Sequence, residues 1–67
     1  MPISLKAARV NAGYTQEEAA RLIGVTSDTL SNWERGLSYP NVIHLRAILD
    51  KYNVQYDDLI FLPKNNA

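Results

Sequence analysis

The sequence contains no cysteine and only one histidine, so it has neither a disulfide framework nor the ligand cluster of a zinc site. It contains no apolar run of 18 residues and no signal-peptide core near its start, so we expect a cytoplasmic protein without a membrane span. Seven basic and seven acidic side chains cancel, and the basic excess that is usual in nucleic-acid-binding domains is therefore missing. The 67 residues suffice for one small domain, with a predicted core over about 5–62 and a tail over 63–67.

Catalytic groupings are also missing. The sequence shows no paired nucleophile and base, no glycine-rich phosphate loop and no cluster of metal ligands. We therefore expect that the protein is not an enzyme and that it needs no cofactor.

Glycine is scarce, with three residues, and each one follows an apolar-periodic stretch, where glycine commonly ends a helix. The start signals are equally local. Thr15 and Glu18 have the spacing of a capping box, Thr26 or Ser27 can cap the next helix, and Asn41 the one after it. The sequence shows no convincing strand alternation and predicts an all-α fold with helices over Leu5–Asn11, Gln16–Ile23, Ser27–Arg35, Val42–Tyr52 and Gln55–Phe61.

The second and third predicted helices have the spacing of a helix-turn-helix. Ala20 is small where two steeply crossing helices come closest, and Gly24 supplies the positive φ of a tight turn. Val25, Leu30 and Trp33 have the spacing to point back into a shared core. The second helix of such a pair can enter the major groove of DNA.

The stretch TQEEAARLIGVTSDTLSNWERG, followed by a loop, YPN and a leucine-rich helix, resembles the lambda-repressor-like helix-turn-helix family, also called the Cro or xenobiotic-response-element type. The resemblance covers residues 5–59. It implies a compact bundle of five helices that binds a palindromic operator in double-stranded DNA as a homodimer. It further implies a bacterial or phage-encoded protein that represses or switches transcription.

The resemblance also implies roles for individual side chains. Ser27, Asp28 and Asn32 occupy the positions that read base edges, and the helical period independently turns residues 28 and 32 away from the buried face. Asp28 has an alternative role as a helix-start residue that only excludes some base sequences. The residues expected along the DNA backbone are Gln16, Thr26, Thr29, Ser31, Arg35 and Ser38. Gln16 could instead be an exposed helix starter, and Thr26 a cap only.

Two further expectations concern packing. The family pattern implies a partly buried ion pair between Arg9 and Glu34, which would fix the pitch of the third helix. Leu59–Leu62 is an apolar run too rich for one short helix to bury on one face. We expect Phe61 or Leu62 to lie at a dimer interface, although these residues could instead close the core of the monomer.

A second function remains open from the sequence. An antitoxin or antirepressor of this fold would act mainly by binding a small partner protein. The neutral charge and the apolar C-terminal stretch favour this alternative.

Overall fold

The fold packs four α-helices around one core, and two very short strands pair beside it. The computed structural model describes residues 2–61. Its elements, in chain order, are β1 (Ile3–Ser4), α1 (Leu5–Asn11), α2 (Gln16–Ile23), α3 (Ser27–Glu34), α4 (Val42–Tyr52), one 3₁₀ turn (Tyr56–Asp58) and β2 (Leu59–Ile60). No helix within 2–61 is long and apolar enough to cross a membrane.

Each α-helix begins at a side-chain cap. The Oγ of Ser4, the Oγ1 of Thr15, the Oγ1 of Thr26 and the Oδ1 of Asn41 each accept the backbone N–H of the residue three positions on. At α2 the predicted capping box is complete, because the Glu18 carboxylate accepts the Thr15 N–H in return. That bond lowers the pKa of Glu18.

The turn between α2 and α3 depends on a left-handed residue. Gly24 has φ 96° and ψ 30°, a conformation that is strained for a residue with a Cβ. A Cβ at Gly24 would meet nothing within 4 Å. The backbone angle, and not a lack of space, is therefore the reason for glycine at this turn.

The core lies where the four helices meet. Ala20 is almost fully buried between α2 and α3, and Leu30 and Trp33 point inward from α3, as the spacing predicts. On α4, Ile48 and Tyr52 are buried, while Leu45 and Leu49 are half-exposed. The buried apolar residues are Leu5, Ala8, Ala19, Ala20, Ile23, Leu30, Trp33, Ile48, Tyr52 and Leu59.

The predicted fifth helix over Gln55–Phe61 is wrong. The chain makes a single 3₁₀ turn at Tyr56–Asp58 and then extends as β2, which pairs in parallel with β1. Ile3 lies opposite Leu59, and this pairing buries Leu59 while Ile60 stays exposed. Successive side chains of an extended strand point to opposite sides, which is why one residue of this apolar pair is buried and the other is exposed. The described part of the chain therefore contains four α-helices and not five.

Candidate nucleic-acid interface

One side of α3 carries only polar side chains. Ser27, Asp28, Ser31, Asn32 and Arg35 form what we call the outward face of α3. Four of them follow the i, i+3, i+4, i+7 pattern of one helical side. All five are exposed or half-exposed. Among the residues described, the three predicted base readers therefore share one accessible surface.

The start of this helix combines a cap with a free hydroxyl hydrogen. Thr26 Oγ1 accepts the Thr29 N–H at 3.2 Å and lies 3.0 Å from Thr29 Oγ1, which accepts its hydrogen. Thr26 is thus used as the cap of α3. Thr29 keeps its own hydroxyl hydrogen for an acceptor outside the chain, such as a phosphate oxygen. Asp28 is exposed in the first turn, where the helix dipole favours a carboxylate.

A groove of about 510 Å³ lies beside this face, between α1, the start of α2 and the end of α3. Its lining includes three cations and one carboxylate, which gives a formal charge of +2 in a chain whose net charge is zero. Neutral hydrogen-bonding groups complete it. We call this the α1–α3 groove; its lining residues are Lys6, Arg9, Thr15, Gln16, Ser31, Glu34 and Arg35.

The floor of the groove is the predicted ion pair, which the structure confirms. Arg9 Nε donates to Glu34 Oε2 at 2.7 Å, and both side chains are more than nine-tenths buried. Arg9 Nη1 also donates to the backbone carbonyl of Tyr14 at 2.8 Å. Gln16 Nε2 donates to Glu34 Oε1 at 3.1 Å, so the first residue of α2 is tied to the end of α3. One N–H of the Gln16 amide remains available to a ligand in the groove.

Two outward residues are bonded to one another. Arg35 Nη2 donates to Asn32 Oδ1 at 3.0 Å across one turn of α3. Arg35 also lines the α1–α3 groove, so it contacts both Asn32, a predicted base reader, and this groove. Its remaining guanidinium N–H groups can donate to a phosphate.

The other predicted site residues lie away from this centre. Ser38 is half-buried in the loop after α3. Phe61 is half-buried between two tyrosines, with ring centroids 6.3 Å from both Tyr39 and Tyr56. Leu62 lies outside the described residues.

Sequence reasoning missed two contacts that shape the site. The bond from Gln16 to Glu34 joins positions 18 apart, and no local pattern indicates it. The bond from Arg35 to Asn32 could have been predicted, because residues at i and i+3 on a helix are neighbours.

The chain matches a known protein family. A family model described as helix-turn-helix matches residues 5–59, the same range that the sequence resemblance covers. The match spans α1 to the start of β2 and therefore includes both the outward face of α3 and the α1–α3 groove.

Three curated relatives match most of this chain over part of their own length. The chain is 43% identical over 56 residues to the HTH-type transcriptional regulator ImmR of Bacillus subtilis, covering 84% of this chain and 44% of that protein. It is 33% identical over 57 residues to the antitoxin PezA of Streptococcus pneumoniae, covering 85% and 36%. It is 34% identical over 56 residues to the HTH-type transcriptional activator BcrR of Enterococcus faecalis, covering 84% and 28%. The chain thus spans less than half of each.

Proposed function

The chain belongs to the lambda-repressor-like helix-turn-helix family, and from that premise we propose that it is a sequence-specific DNA-binding regulator of transcription, a small repressor or Cro-like switch. The observation that carries the proposal is the accessible outward face of α3 beside a groove of formal charge +2. Groups that can read bases and groups that can hold phosphates adjoin each other on one side of the molecule. That it is not an enzyme, and that it acts in the cytoplasm, stay predictions.

Base reading is assigned to the outward face. Ser27, Asp28 and Asn32 are short polar side chains that can meet base edges when α3 lies in the major groove. The Asp28 carboxylate can accept a hydrogen bond from the N4 of cytosine and repels bases that present an acceptor there. A carboxylate is also repelled by phosphates, so Asp28 contributes discrimination more than affinity.

Contacts to the DNA backbone are assigned to the α1–α3 groove and to the two ends of α3. Gln16 and Ser31 are neutral donors, and Lys6 and Arg35 supply charge at the groove. The first backbone N–H groups of α2 add donors at the positive end of its dipole. We also assign phosphate contacts to Thr29 and Ser38, while Thr26 acts through its cap.

A homodimer would supply the phosphate contacts, and so the DNA affinity, that one domain without net charge lacks. One copy concentrates only a few cations against DNA, whereas two copies on a palindrome double the number of phosphate contacts. The exposed side of β2 at Ile60, together with Phe61 and Leu62, is the surface we assign to the second copy. Half-sites would then lie about one helical turn, ~34 Å, apart.

A second function is favoured by a separate surface. Val42 and Ile43, at the start of α4, are 69% and 76% exposed, which is unusual for two adjacent aliphatic residues. One of the relatives is named an antitoxin. An antitoxin-like role, in which a small partner protein covers this apolar pair, is therefore the alternative that we carry.

Selection from a randomised double-stranded DNA library tests the proposal. We expect the protein to enrich one motif, and Asp28→Ala and Asn32→Ala to change the preferred base at separate positions of that motif. Asp50→Ala is the matched control, because Asp50 is an exposed acid on α4 and its loss should leave the motif unchanged. Enrichment of no motif, together with copurification of one small protein, would favour the partner-binding function instead.

A further inference from the structure

The contact between Arg35 and Asn32 constrains how Asn32 can read a base. A guanidinium only donates hydrogen bonds, so the atom 3.0 Å from Arg35 Nη2 must be the amide oxygen of Asn32. The amide NH₂ then keeps both of its donors for another partner, while the oxygen keeps one lone pair. An unconstrained Asn is ambiguous in this respect, since rotation of the amide exchanges its donor and its acceptor.

The backbone that carries Arg35 is held by hydrogen bonds at the end of α3. Arg35 is the C-cap of α3 in a helical backbone conformation, and its N–H is donated to the carbonyl of Ser31. Just beyond it, the N–H groups of Gly36 and Leu37 close the helix end onto Trp33 and Asn32. The guanidinium therefore starts from a fixed point one turn beyond the side chain that it orients.

We propose that Arg35 is a positioning residue for base specificity, which turns the Asn32 amide so that the pair presents donors to a guanine edge. This rests on the proposed DNA-binding function. Adenine offers both an acceptor and a donor in the major groove and is bound by an Asn whose oxygen is free. Guanine offers two acceptors, N7 and O6. With one lone pair of its oxygen engaged by Arg35, Asn32 is a weaker and less freely oriented acceptor for adenine, and the positive charge beside it opposes the adenine N6 amino group.

The same side chain can still hold a phosphate. One N–H of Nη2 is engaged with Asn32, while the other guanidinium N–H groups can donate to a phosphate at the α1–α3 groove, which Arg35 lines. Arg35 would then connect backbone binding to base reading. A role in phosphate binding alone predicts a different result, because it affects all duplexes alike.

Library selection with wild type, Asn32→Ala, Arg35→Ala and Arg35→Lys tests the inference. Asn32→Ala identifies the base position that Asn32 reads. We expect wild type to prefer guanine there and Arg35→Ala to shift the ratio of guanine-site to adenine-site affinity by about tenfold or more toward adenine. Arg35→Lys should shift it in the same direction, because a lysine keeps the charge but lacks the planar guanidinium that holds the amide. Arg21→Ala removes an exposed cation from α2 and should leave the ratio unchanged.

Failures of this inference and of the proposed function are distinguishable. If wild type enriches no motif, the proposed function fails and the inference with it. If wild type enriches a motif, the function stands, and three results overturn the inference alone. These are an adenine preference at the position set by Asn32, no position set by Asn32, or an unchanged base ratio in Arg35→Ala with weaker binding to all duplexes.

Discussion

Tyr52 lies on α4 with its ring in the core and its hydroxyl in the interior. It is only 4% exposed, and its hydroxyl oxygen has no hydrogen-bond partner among residues 2–61. Its ring centroid is 6.2 Å from that of Tyr14. Burial raises the pKa of Tyr52 to about 12, and the nearby Glu34 carboxylate adds to this while Arg9 opposes it. The aromatic ring of Tyr52 packs in the core, whereas its hydroxyl group is buried without a hydrogen bond to any described residue, which costs free energy.

The raised pKa predicts a loss of stability at alkaline pH. Below pH 10 the phenol is neutral in both the folded and the unfolded state, so it makes no pH-dependent contribution. Between pH 10 and about 12 the unfolded chain loses the proton and the folded chain keeps it, so the free energy of unfolding falls by about 3 kcal/mol. We expect Tyr52→Phe to lack this fall, and to be as stable as wild type or more stable at pH 7.

Urea denaturation across pH 8–12 checks this prediction, with the exposed Tyr56→Phe as the matched control. Subtracting the Tyr52→Phe curve from that of wild type removes the contributions of the other titrating groups. Parallel curves for wild type and Tyr52→Phe would show that the hydroxyl ionises as freely in the folded chain as in the unfolded one.

Helix packing is fixed at two places by polar contacts. The Arg9–Glu34 pair joins α1 to α3, and the bond from Gln16 joins α2 to the same carboxylate. Three helices thus share one buried charge. Because both ionised groups are removed from water, the pair itself adds little net stability, but losing either partner leaves an uncompensated charge.

We therefore expect Glu34→Leu to lower the free energy of unfolding by about 3–5 kcal/mol, because Arg9 would remain buried and unpaired. The double variant Arg9→Met with Glu34→Leu should recover most of this loss. Asp50→Ala, which removes an exposed pair with Lys51 at 4.0 Å, should cost less than about 1 kcal/mol. Equilibrium denaturation measures all three, and a double variant no more stable than Glu34→Leu would contradict the account.

The bounds of α1, α2 and α4 could be predicted from the sequence because each is set by local chemistry. The caps at Thr15, Thr26 and Asn41 each lie three residues before the N–H group that they accept. The third helix, α3, ends at Glu34, one residue earlier than predicted. The C-terminal segment could not be predicted in the same way. Leu59 is placed by pairing with Ile3, 56 positions away, and strands of two residues are too short to show alternation.

At the scale of the whole molecule, the distribution of charge is more informative about nucleic-acid binding than the net charge. The net charge of zero argues against nucleic-acid binding when it is taken as a single number. The fold nevertheless gathers Lys6, Arg9 and Arg35 along one groove, while Asp57 and Asp58 lie in the 3₁₀ turn near the C-terminal end. The residues of the outward face of α3 could be predicted from the sequence, but only the tertiary structure shows that a cationic groove lies beside that face.

An NMR titration of isotope-labelled protein with a short DNA duplex at low salt tests most directly whether the outward face of α3 binds DNA. We expect the largest shifts at the backbone amides of Ser27 and Asp28 and at the side chains of Asn32 and Arg35, with small shifts at Val42 and Ile43. Shifts confined to Val42, Ile43 and the ring cluster around Phe61, with α3 unchanged, would contradict the account.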